Sequence, residues 1–163
     1  MIIRTAGIQD ITDIRTIAAE TWPVAYKAIL SQAQLAYMLQ KFYSDDALKE
    51  QLLTKGHQFY LIADKNKNNV GFASVSKEEE ATFKLQKLYV LPGQQGNNLG
   101  KQLLDKVILF CEEQGGKRLV LNVNRFNKAR TFYEKQGFKI VQEIDIAIGN
   151  DYFMNDFIME RNL

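Results

Sequence analysis

Cysteine, which forms disulfides, and histidine, which with cysteine binds zinc, are nearly absent from this chain. Its 163 residues include one cysteine, Cys111, and one histidine, His57. A single cysteine excludes an internal disulfide. With no signal-peptide pattern at residues 1–4, it predicts a cytoplasmic protein. Because no Cys/His cluster exists, we expect no metal site. A Ser-His-Asp hydrolase would have to use His57, whose neighbours form no nucleophile motif.

The chain also has no large excess of positive or negative charge and no long apolar run. The formal net charge is +2, and no block of like charge is longer than Glu78-Glu79-Glu80. We therefore expect neither a nucleic acid nor a membrane as partner. No apolar stretch is long enough to span a bilayer. The composition, 46% hydrophobic and 25% charged residues, is that of an ordinary globular protein, and the length suits one domain over residues 1–163.

The first third of the chain has the pattern of helices. An apolar start at residues 2–5 predicts an edge strand. Isoleucines at helical spacing then predict a helix, which should stop or bend at Pro23 because proline disfavours helical backbone in the residue before it. Ser31 and Ser44 are placed to cap a second and a third helix, the third ended by Gly56.

The rest of the chain alternates between strand and helix patterns. Short links between the first three runs predict an antiparallel meander, with Glu78-Glu79-Glu80 as a solvated turn. The predicted strands cover residues 57–63, 70–75, 81–90, 119–123, 138–148 and 152–160. The predicted helices cover residues 98–114 and 127–136. The result is an α+β (mixed α/β) domain with a helical N-terminal third.

Two segments carry candidate chemistry. Residues 88–104 predict a buried strand, a polar Gly/Asn turn and the start of an amphipathic helix, whose backbone N–H groups can bind a phosphate or pyrophosphate. The alternative is that the glycines only allow a tight turn and bind no ligand. Residues 121–138 predict a strand, a polar loop and a helix, with Asn127 at the helix start and Tyr133 within it. Asn127 then acts as a cap, or as a ligand-binding residue.

Together the two segments resemble the GNAT superfamily of acetyl-CoA-dependent N-acetyltransferases. The family's pyrophosphate loop, Q/R-x-x-G-x-G/A after Val-x-Pro, is matched by Val90-x-Pro92 followed by Gln95-Gly96-Asn97-Asn98-Leu99-Gly100. Its second motif is matched at Asn127, Ala129, Phe132, Tyr133, Gly137 and Phe138. The strong resemblance covers residues 85–138. It implies a central, mostly antiparallel sheet that splays between the strands at 81–90 and 118–123, with helices on both faces.

One loop position departs from the family pattern. Asn98 stands where the family has its first glycine. If that position needs a positive φ, asparagine is the next most tolerant residue, so the loop keeps its shape. A glycine would let the backbone approach a phosphate more closely.

The resemblance implies acetyl-CoA as co-substrate, without a metal. Loop amides would hold the pyrophosphate, with Lys101 adding a cation. The backbone at Leu88 and Val90 would pair with the pantetheine arm, and an N–H of Leu88 or Tyr89 would polarise the thioester carbonyl. The implied coenzyme-binding residues are Leu88, Tyr89, Val90, Gln95, Gly96, Asn97, Asn98, Leu99, Gly100, Lys101, Asn127 and Tyr133.

The same resemblance assigns the proton donor but leaves the base open. Tyr133 would protonate the departing thiolate, since a phenol of pKa ~10 suits a thiol of pKa about 8–9. Many relatives carry a glutamate on the strand before Val-x-Pro, but residues 82–88 hold no carboxylate. The proton of the attacking amine would then leave through a water chain, Glu20 or Asp156.

The acceptor side is predicted from the aromatic residues near the first helix end. Trp22 and Tyr26 either line a slot for a cationic or aliphatic amine or plug the end of the core. The Trp-x-x-x-Tyr pattern resembles the branch that contains polyamine and small-amine acetyltransferases. Glu78-Glu79-Glu80 lies close enough to a sheet edge to attract a polyamine.

The predicted function is therefore acetyl transfer from acetyl-CoA to a primary amine. The acceptor would be a small molecule, polyamine-like or another amine, or a peptide, and it would attack directly in a ternary complex. The missing strand carboxylate motivates an alternative, a non-catalytic acetyl-CoA-binding sensor or regulatory module. A protein that binds another nucleotide fits less well, since the P-loop lysine-Ser/Thr pair and an acidic ribose contact are missing. Because many relatives are dimers, a homodimer is also predicted.

Overall fold

The chain forms seven strands and five helices in the computed structural model, which describes residues 2–94 and 96–163. The strands are β1 (Ile2–Ala6), β2 (Gln58–Ala63), β3 (Asn69–Glu79), β4 (Thr82–Val90), β5 (Arg118–Asn124), β6 (Lys139–Gly149) and β7 (Tyr152–Asn162). The helices are α1 (Ile11–Ala25), α2 (Gln32–Tyr43), α3 (Asp45–Leu53), α4 (Leu99–Glu113) and α5 (Ala129–Lys135), with 3-10 turns at Ile8–Asp10 and Pro92–Gln94.

All seven strands belong to one sheet in the order β1-β2-β3-β4-β5-β7-β6. Strands β2 to β4 form the predicted antiparallel meander, and β1 pairs antiparallel with β2 as the predicted edge strand. In the other half of the sheet, β7 pairs antiparallel with β5 on one side and with β6 on the other. Among the strands of the described residues the one parallel pair is β4 with β5, which α4 connects. The mixed α+β fold with a mostly antiparallel sheet is as the sequence predicted.

Helices cover both faces of the sheet, and each face has its own core. On one face α4 packs Leu103, Leu104 and Val107 against strand residues such as Leu85 and Leu119. We call this side the α4 face. On the other face α1, α2 and α3 pack against a second core. Its members include Ile14, Ile17, Leu48, Phe59, Leu61 and Phe72. We call this side the α1–α3 face.

The predicted caps are confirmed at the two serines. Ser31 Oγ accepts a hydrogen bond from the Gln34 backbone N–H at 3.1 Å, and Ser44 Oγ accepts one from Ala47 at 3.2 Å. Each bond satisfies an N–H that the first helical turn leaves without a partner. No helix within the described residues is long and apolar enough to cross a membrane.

Two boundaries differ from the prediction: the stop of α1 at Pro23, which was given as the alternative to a bend there, and the turn at residues 78–80. Helix α1 does not stop at Pro23 but continues to Ala25, and the Tyr26 N–H still bonds to the Trp22 carbonyl at 3.0 Å. Packing of the Trp22 and Tyr26 rings, with centroids 4.8 Å apart, holds this last turn. Strand β3 also extends through Glu79, where the sequence predicted a turn, because Glu79 pairs in register with Thr82.

Strands β4 and β5 splay apart as predicted. They pair from Thr82 with Arg118 to Leu85 with Leu121. Beyond these pairs β4 stays with β3 and β5 stays with β7. The two halves of the sheet therefore diverge, which opens a cleft at the carboxyl end of β4.

Candidate active site

A cavity of about 1000 Å³ fills the cleft between β4 and β5. Its walls come from the end of α1, from β4, from the turn into α4 and from the segment between β5 and α5. The lining residues are 21, 24–29, 85–90, 92, 96, 98–100, 121–123, 126–129, 132 and 133. A cavity of this size suits a large organic ligand rather than a single ion.

The turn into α4 has the backbone that the sequence analysis required. Asn98 has φ of +57° and Gly96 has φ of +104°. Both values lie in the left-handed region, where glycine and then asparagine are tolerated best. Gly96, Asn98, Leu99 and Gly100 line the cavity at the N-terminus of the 15-residue α4.

For three further loop residues that the sequence assigned to the coenzyme, the described part of the structure shows no contact with the cavity. Neither Asn97 nor Lys101 is among the described residues that line the cavity. The Lys101 Nζ lies 2.6 Å from the Asp105 carboxylate, four residues along α4. Gln95 lies outside the described residues.

Strand β4 supplies Leu88, Tyr89 and Val90, three of the residues assigned to the coenzyme, to the cavity wall. The Leu88 and Val90 side chains pack toward the α4 face, and the Tyr89 ring packs toward the α1–α3 face. The strand therefore divides the cavity into a part on the α4 face and a part on the α1–α3 face, which we call, from their predicted roles, the coenzyme side and the acceptor side.

Asn127 and Tyr133 meet in the cavity wall beside α5. Asn127 Oδ1 accepts a hydrogen bond from the Ala129 N–H at 2.9 Å, so the residue does hold the start of α5. Tyr133 is 8% exposed and packs against Phe132 and Phe138, with centroids 5.2 and 5.7 Å away. Burial raises the pKa of Tyr133, so its hydroxyl is protonated at neutral pH.

The two aromatic residues predicted for the acceptor side have different surroundings. Trp22 is 4% exposed and packs in the core against Tyr26, Tyr43 and Tyr89, with centroids 4.8, 5.5 and 5.8 Å away. Tyr26 packs beside it but also lines the cavity, and its Oη lies 3.2 Å from the Tyr89 Oη. Trp22 is not among the described residues that line the cavity.

The two candidate bases also differ. Asp156 on β7 is 3% exposed and accepts a hydrogen bond from Asn122 Nδ2 at 3.4 Å. Burial raises the pKa of Asp156, while that hydrogen bond and the charges of Lys84 and Arg125 act in the opposite direction. Glu20 is exposed on α1.

The carboxylate of Asp156 is close enough to Tyr26 to affect its titration. Burial raises the pKa of Tyr26, and the charge of Asp156 raises it further, while Tyr89 and Asn127 lower it. Asn122, the hydrogen-bond partner of Asp156, lines the cavity. Asp156 therefore lies one residue behind the wall.

Sequence reasoning missed several residues that the structure brings to the cavity. Lys87 and Asn122 line it, although the sequence analysis assigned neither a role. Phe126 also lines it and is 75% exposed. A large aromatic residue next to Asn127 was the one available signal. Among the described residues no group of three His, Cys, Asp or Glu side chains could hold a metal ion.

Comparison with known proteins gives the same family as the motifs. Residues 26–149 match the family model described as Acetyltransferase (GNAT) domain. An uncharacterized N-acetyltransferase of Mycobacterium tuberculosis (strain ATCC 25618 / H37Rv) is 30% identical over 155 residues, which cover 94% of this chain and 98% of that protein. The spermidine N(1)-acetyltransferase of Thermoplasma acidophilum is 26% identical over 163 residues, covering 98% of this chain and 95% of that protein.

Solved structures have the same fold. The PaiA N-acetyltransferase from Thermoplasma acidophilum, in complex with coenzyme A, has a TM-score of 0.85 at 25% identity and covers 99% of this chain and 98% of that chain. A GCN5-related N-acetyltransferase from Rhodopseudomonas palustris has a TM-score of 0.84 at 20% identity, covering 99% and 95%. With the matched domain spanning most of its length, the chain belongs to the GNAT acetyltransferase family and is an acyltransferase with acetyl-CoA as its co-substrate.

Proposed function

We propose that the protein transfers the acetyl group of acetyl-CoA to a primary amine of a small molecule or peptide, by direct attack within a ternary complex formed by one domain over residues 1–163. The observation that carries this proposal is one continuous cavity with two unlike ends. The turn into α4, Asn127 and Tyr133 line one end. Tyr26 and the segment after α1 line the other, so both substrates can meet at β4.

The coenzyme occupies the end of the cavity at α4. Its pyrophosphate binds backbone N–H groups from Gly96 to Lys101, where the positive end of the α4 dipole favours an anion. Its pantetheine arm runs along Leu88 to Val90, beyond the last residue pair of β4 with β5. The bond from the Ala129 N–H to Oδ1 holds the Asn127 side chain in place, and its side-chain nitrogen donates to the arm. A role for Gln95 stays a prediction.

Reaction at the thioester moves one acetyl group and one proton. The amine nitrogen attacks the carbonyl carbon, and the N–H of Leu88 or Tyr89 stabilises the oxyanion that forms. The C–S bond then breaks as the N–C bond is retained, and the sulfur takes a proton from Tyr133. Since burial raises the pKa of Tyr133, this donor is fully protonated when the reaction starts.

The proton that the amine loses goes to Asp156. Glu20 is the weaker candidate, because an exposed carboxylate on the outside of α1 has no described contact with the cavity. Asp156 is held by Asn122, and burial raises its pKa toward that of an amine. Because Asn122 separates Asp156 from the cavity, a water molecule carries the proton between them.

A panel of amines tests the proposal. Purified protein is incubated with acetyl-CoA and polyamines, aminoglycosides, amino acids or peptides, and the released thiol is measured. We expect acetyl-CoA to raise the melting temperature and at least one amine class to release thiol. A melting temperature raised by acetyl-CoA, without thiol release for any amine, would favour the sensor or regulatory module and contradict the catalytic proposal.

A cytoplasmic location and a homodimer stay predictions. The location rests on the single cysteine, Cys111. The homodimer is compatible with β6, which is an edge strand and exposes Ile140 and Val141. Light scattering on the purified protein decides the second point.

A further inference from the structure

A β-bulge in β4 determines which residues reach the acceptor side. In the β3–β4 ladder Leu85 pairs with Val75, but the next pair is Lys87 with Ser74. Gln86 is therefore an extra residue without its own partner in the register. An extra residue reverses the alternation of side chains, so residues beyond it point to the opposite face from the one that strict alternation gives.

The reversal places Lys87 on the α1–α3 face. Before the bulge, Phe83 and Leu85 pack in the core under α4. Beyond the bulge, the side chain of Lys87 no longer lies on the same face of the sheet as Phe83 and Leu85. Its Nζ lies 5.1 Å from the centroid of the Tyr43 ring at the end of α2, and its side chain lines the cavity. Without the bulge, the side chain of Lys87 would point toward α4. With the bulge, its charged group lies on the α1–α3 face.

The ammonium of Lys87 has no anionic partner. No carboxylate oxygen of the described residues lies within 4.0 Å of its Nζ, and no described residue accepts a hydrogen bond from it. Burial lowers the pKa of Lys87 to about 8, and the charges of Lys55 and Lys84 contribute to this shift. At neutral pH most of the lysine is still charged. Lys87 is half-buried and lines the cavity, so a ligand bound there can reach its ammonium group. A partly desolvated charge without an anionic partner is costly, which favours a ligand that supplies the counter-charge.

Nearby groups do not supply that charge. Burial lowers the pKa of His57 to about 4, with Lys87 the next cause, so His57 is neutral at pH 7. Glu78 accepts a hydrogen bond from Gln86 Nε2 at 3.2 Å, and Glu79 pairs with Arg118 at 3.4 Å. The acidic residues at the end of β3 are thus already bound to other side chains.

A polycation fits this environment poorly. A polyamine would bring a second ammonium group to a cavity side whose wall carries Lys87, with Lys84 close enough to lower the pKa of Lys87. The Asp156 carboxylate acts on Lys84 and is not among the charges that act on Lys87. Like charges at short range repel, most strongly where water is scarce. An acceptor with one amine and one carboxylate instead presents the amine to the thioester and the carboxylate to Lys87.

We infer that the acceptor is an amine that carries a carboxylate, as an amino acid does, and that this carboxylate pairs with Lys87 while the amine faces the thioester. The inference rests on the proposed acetyl transfer and narrows its substrate class. The Trp-x-x-x-Tyr pattern suggested a polyamine-like acceptor, which has a second positive charge away from the reacting amine. The inferred acceptor has a negative charge in that position.

Matched acceptor pairs test the inference on the full chain. Each amino acid is compared with its carboxamide and with the decarboxylated amine at saturating acetyl-CoA, and polyamines are included. We expect kcat/KM to favour the carboxylate by about tenfold or more, the effect of one charge-assisted hydrogen bond. The carboxamide is the stringent partner, because its amine is less basic and more of it is free to attack.

Variants of Lys87 assign the effect to that side chain. Lys87→Met should abolish the preference, chiefly by raising KM for the amino acid, while Lys87→Arg should keep much of it. Lys49→Met on the exposed side of α3 is the matched control and should change neither value. Melting temperatures establish that each variant is folded.

The possible outcomes separate the two proposals. If amines react but the carboxylate gives no advantage, or polyamines react best, the inference is wrong and the acetyl transfer stands. The inference is equally wrong if Lys87→Met keeps the preference. If acetyl-CoA binds and no amine of the panel reacts, both proposals fail. Binding of N-acetyl amino acids with coenzyme A, measured by calorimetry against their amides, gives a readout independent of turnover.

Discussion

The hydroxyl oxygens of Tyr26 and Tyr89 lie 3.2 Å apart and join the end of α1 to β4 on the acceptor side of the cavity. One residue comes from the segment after a helix and the other from the strand that would carry the thioester. This hydrogen bond therefore fixes the acceptor side against the coenzyme side.

Replacing Tyr26 by phenylalanine tests that relationship. Tyr26→Phe should lower the free energy of unfolding by about 1 kcal/mol, the net value of one hydrogen bond. It should also raise KM for the amine severalfold while leaving acetyl-CoA affinity unchanged. Tyr37→Phe is the matched control, because it removes a similar bond, 2.7 Å to the Ile148 carbonyl, away from the cavity. An equal change in KM for both variants would contradict the assignment.

Tyr133 is the proposed proton donor, and its hydroxyl can be removed without emptying the ring's packing site. Tyr133→Phe should lower kcat by about 100-fold and change acetyl-CoA affinity little, since the contacts with Phe132 and Phe138 remain. Tyr60→Phe, in the core on the α4 face, should leave kcat unchanged. Steady-state kinetics and calorimetry measure the two effects, and an unaltered kcat in Tyr133→Phe would require another donor.

The base assignment predicts a pH-dependent loss. Asp156→Asn should lower kcat strongly near pH 7 and recover as the pH rises, because the amine then loses its proton without help. The variant should not be less stable at neutral pH. Burial raises the pKa of Asp156 in the folded state, so ionisation destabilises that state as the pH rises through the pKa. Glu20→Gln is the control. A larger kcat loss in Glu20→Gln would transfer the role to Glu20.

Asn98 has a left-handed backbone that glycine adopts without strain. Asn98→Gly should keep the fold and tighten acetyl-CoA binding a few-fold, since the backbone can approach the pyrophosphate more closely. Asn98→Val should weaken binding and cost about 1–2 kcal/mol of stability. Asn150→Gly is matched, with φ of +55° in the β6–β7 turn, and should not change acetyl-CoA affinity. Calorimetry distinguishes these outcomes.

Lys87 should lower the free energy of unfolding of the protein at neutral pH. Its folded-state pKa of about 8 lies below the ordinary lysine value of 10.5. The unfolded chain therefore binds more protons between these values, so stability should rise with pH across that window. Lys87→Met should raise the free energy of unfolding at pH 7 by about 1–3 kcal/mol, because solvent in the cavity screens part of the effect, less a smaller loss from the contact with Tyr43. Urea titrations of both proteins at pH 7 and pH 10 measure this, and Lys49→Met should show no such change.

Much of the fold follows from local signals in the sequence. Ser31 and Ser44 cap helices because their side-chain oxygens reach nearby N–H groups, a property independent of the rest of the chain. The coenzyme turn was predictable for the same reason. A position that requires a positive φ admits few residues, and Asn98 is one of them.

The acceptor side depends on relations that no local pattern contains. The direction of Lys87 is set by a bulge whose register involves Ser74 and Val75 on another strand. Whether Trp22 or Tyr26 reaches the cavity depends on how α1 packs on Tyr43 and Tyr89. Asp156 gains its proximity to Tyr26 from strand order, in which β7 lies next to β5.

The splay has a mechanical consequence. Within the described residues, the strand pairing that joins the first four strands to the last three consists of the four residue pairs from Thr82–Arg118 to Leu85–Leu121. A ligand that touches β4 on one side and Asn127 on the other bridges two blocks with little other strand pairing between them. Occupancy of the cavity should therefore slow hydrogen exchange on both blocks together, including at β5 amides distant from the ligand. The coenzyme would then cross-link the two blocks of the sheet as well as donate the acetyl group.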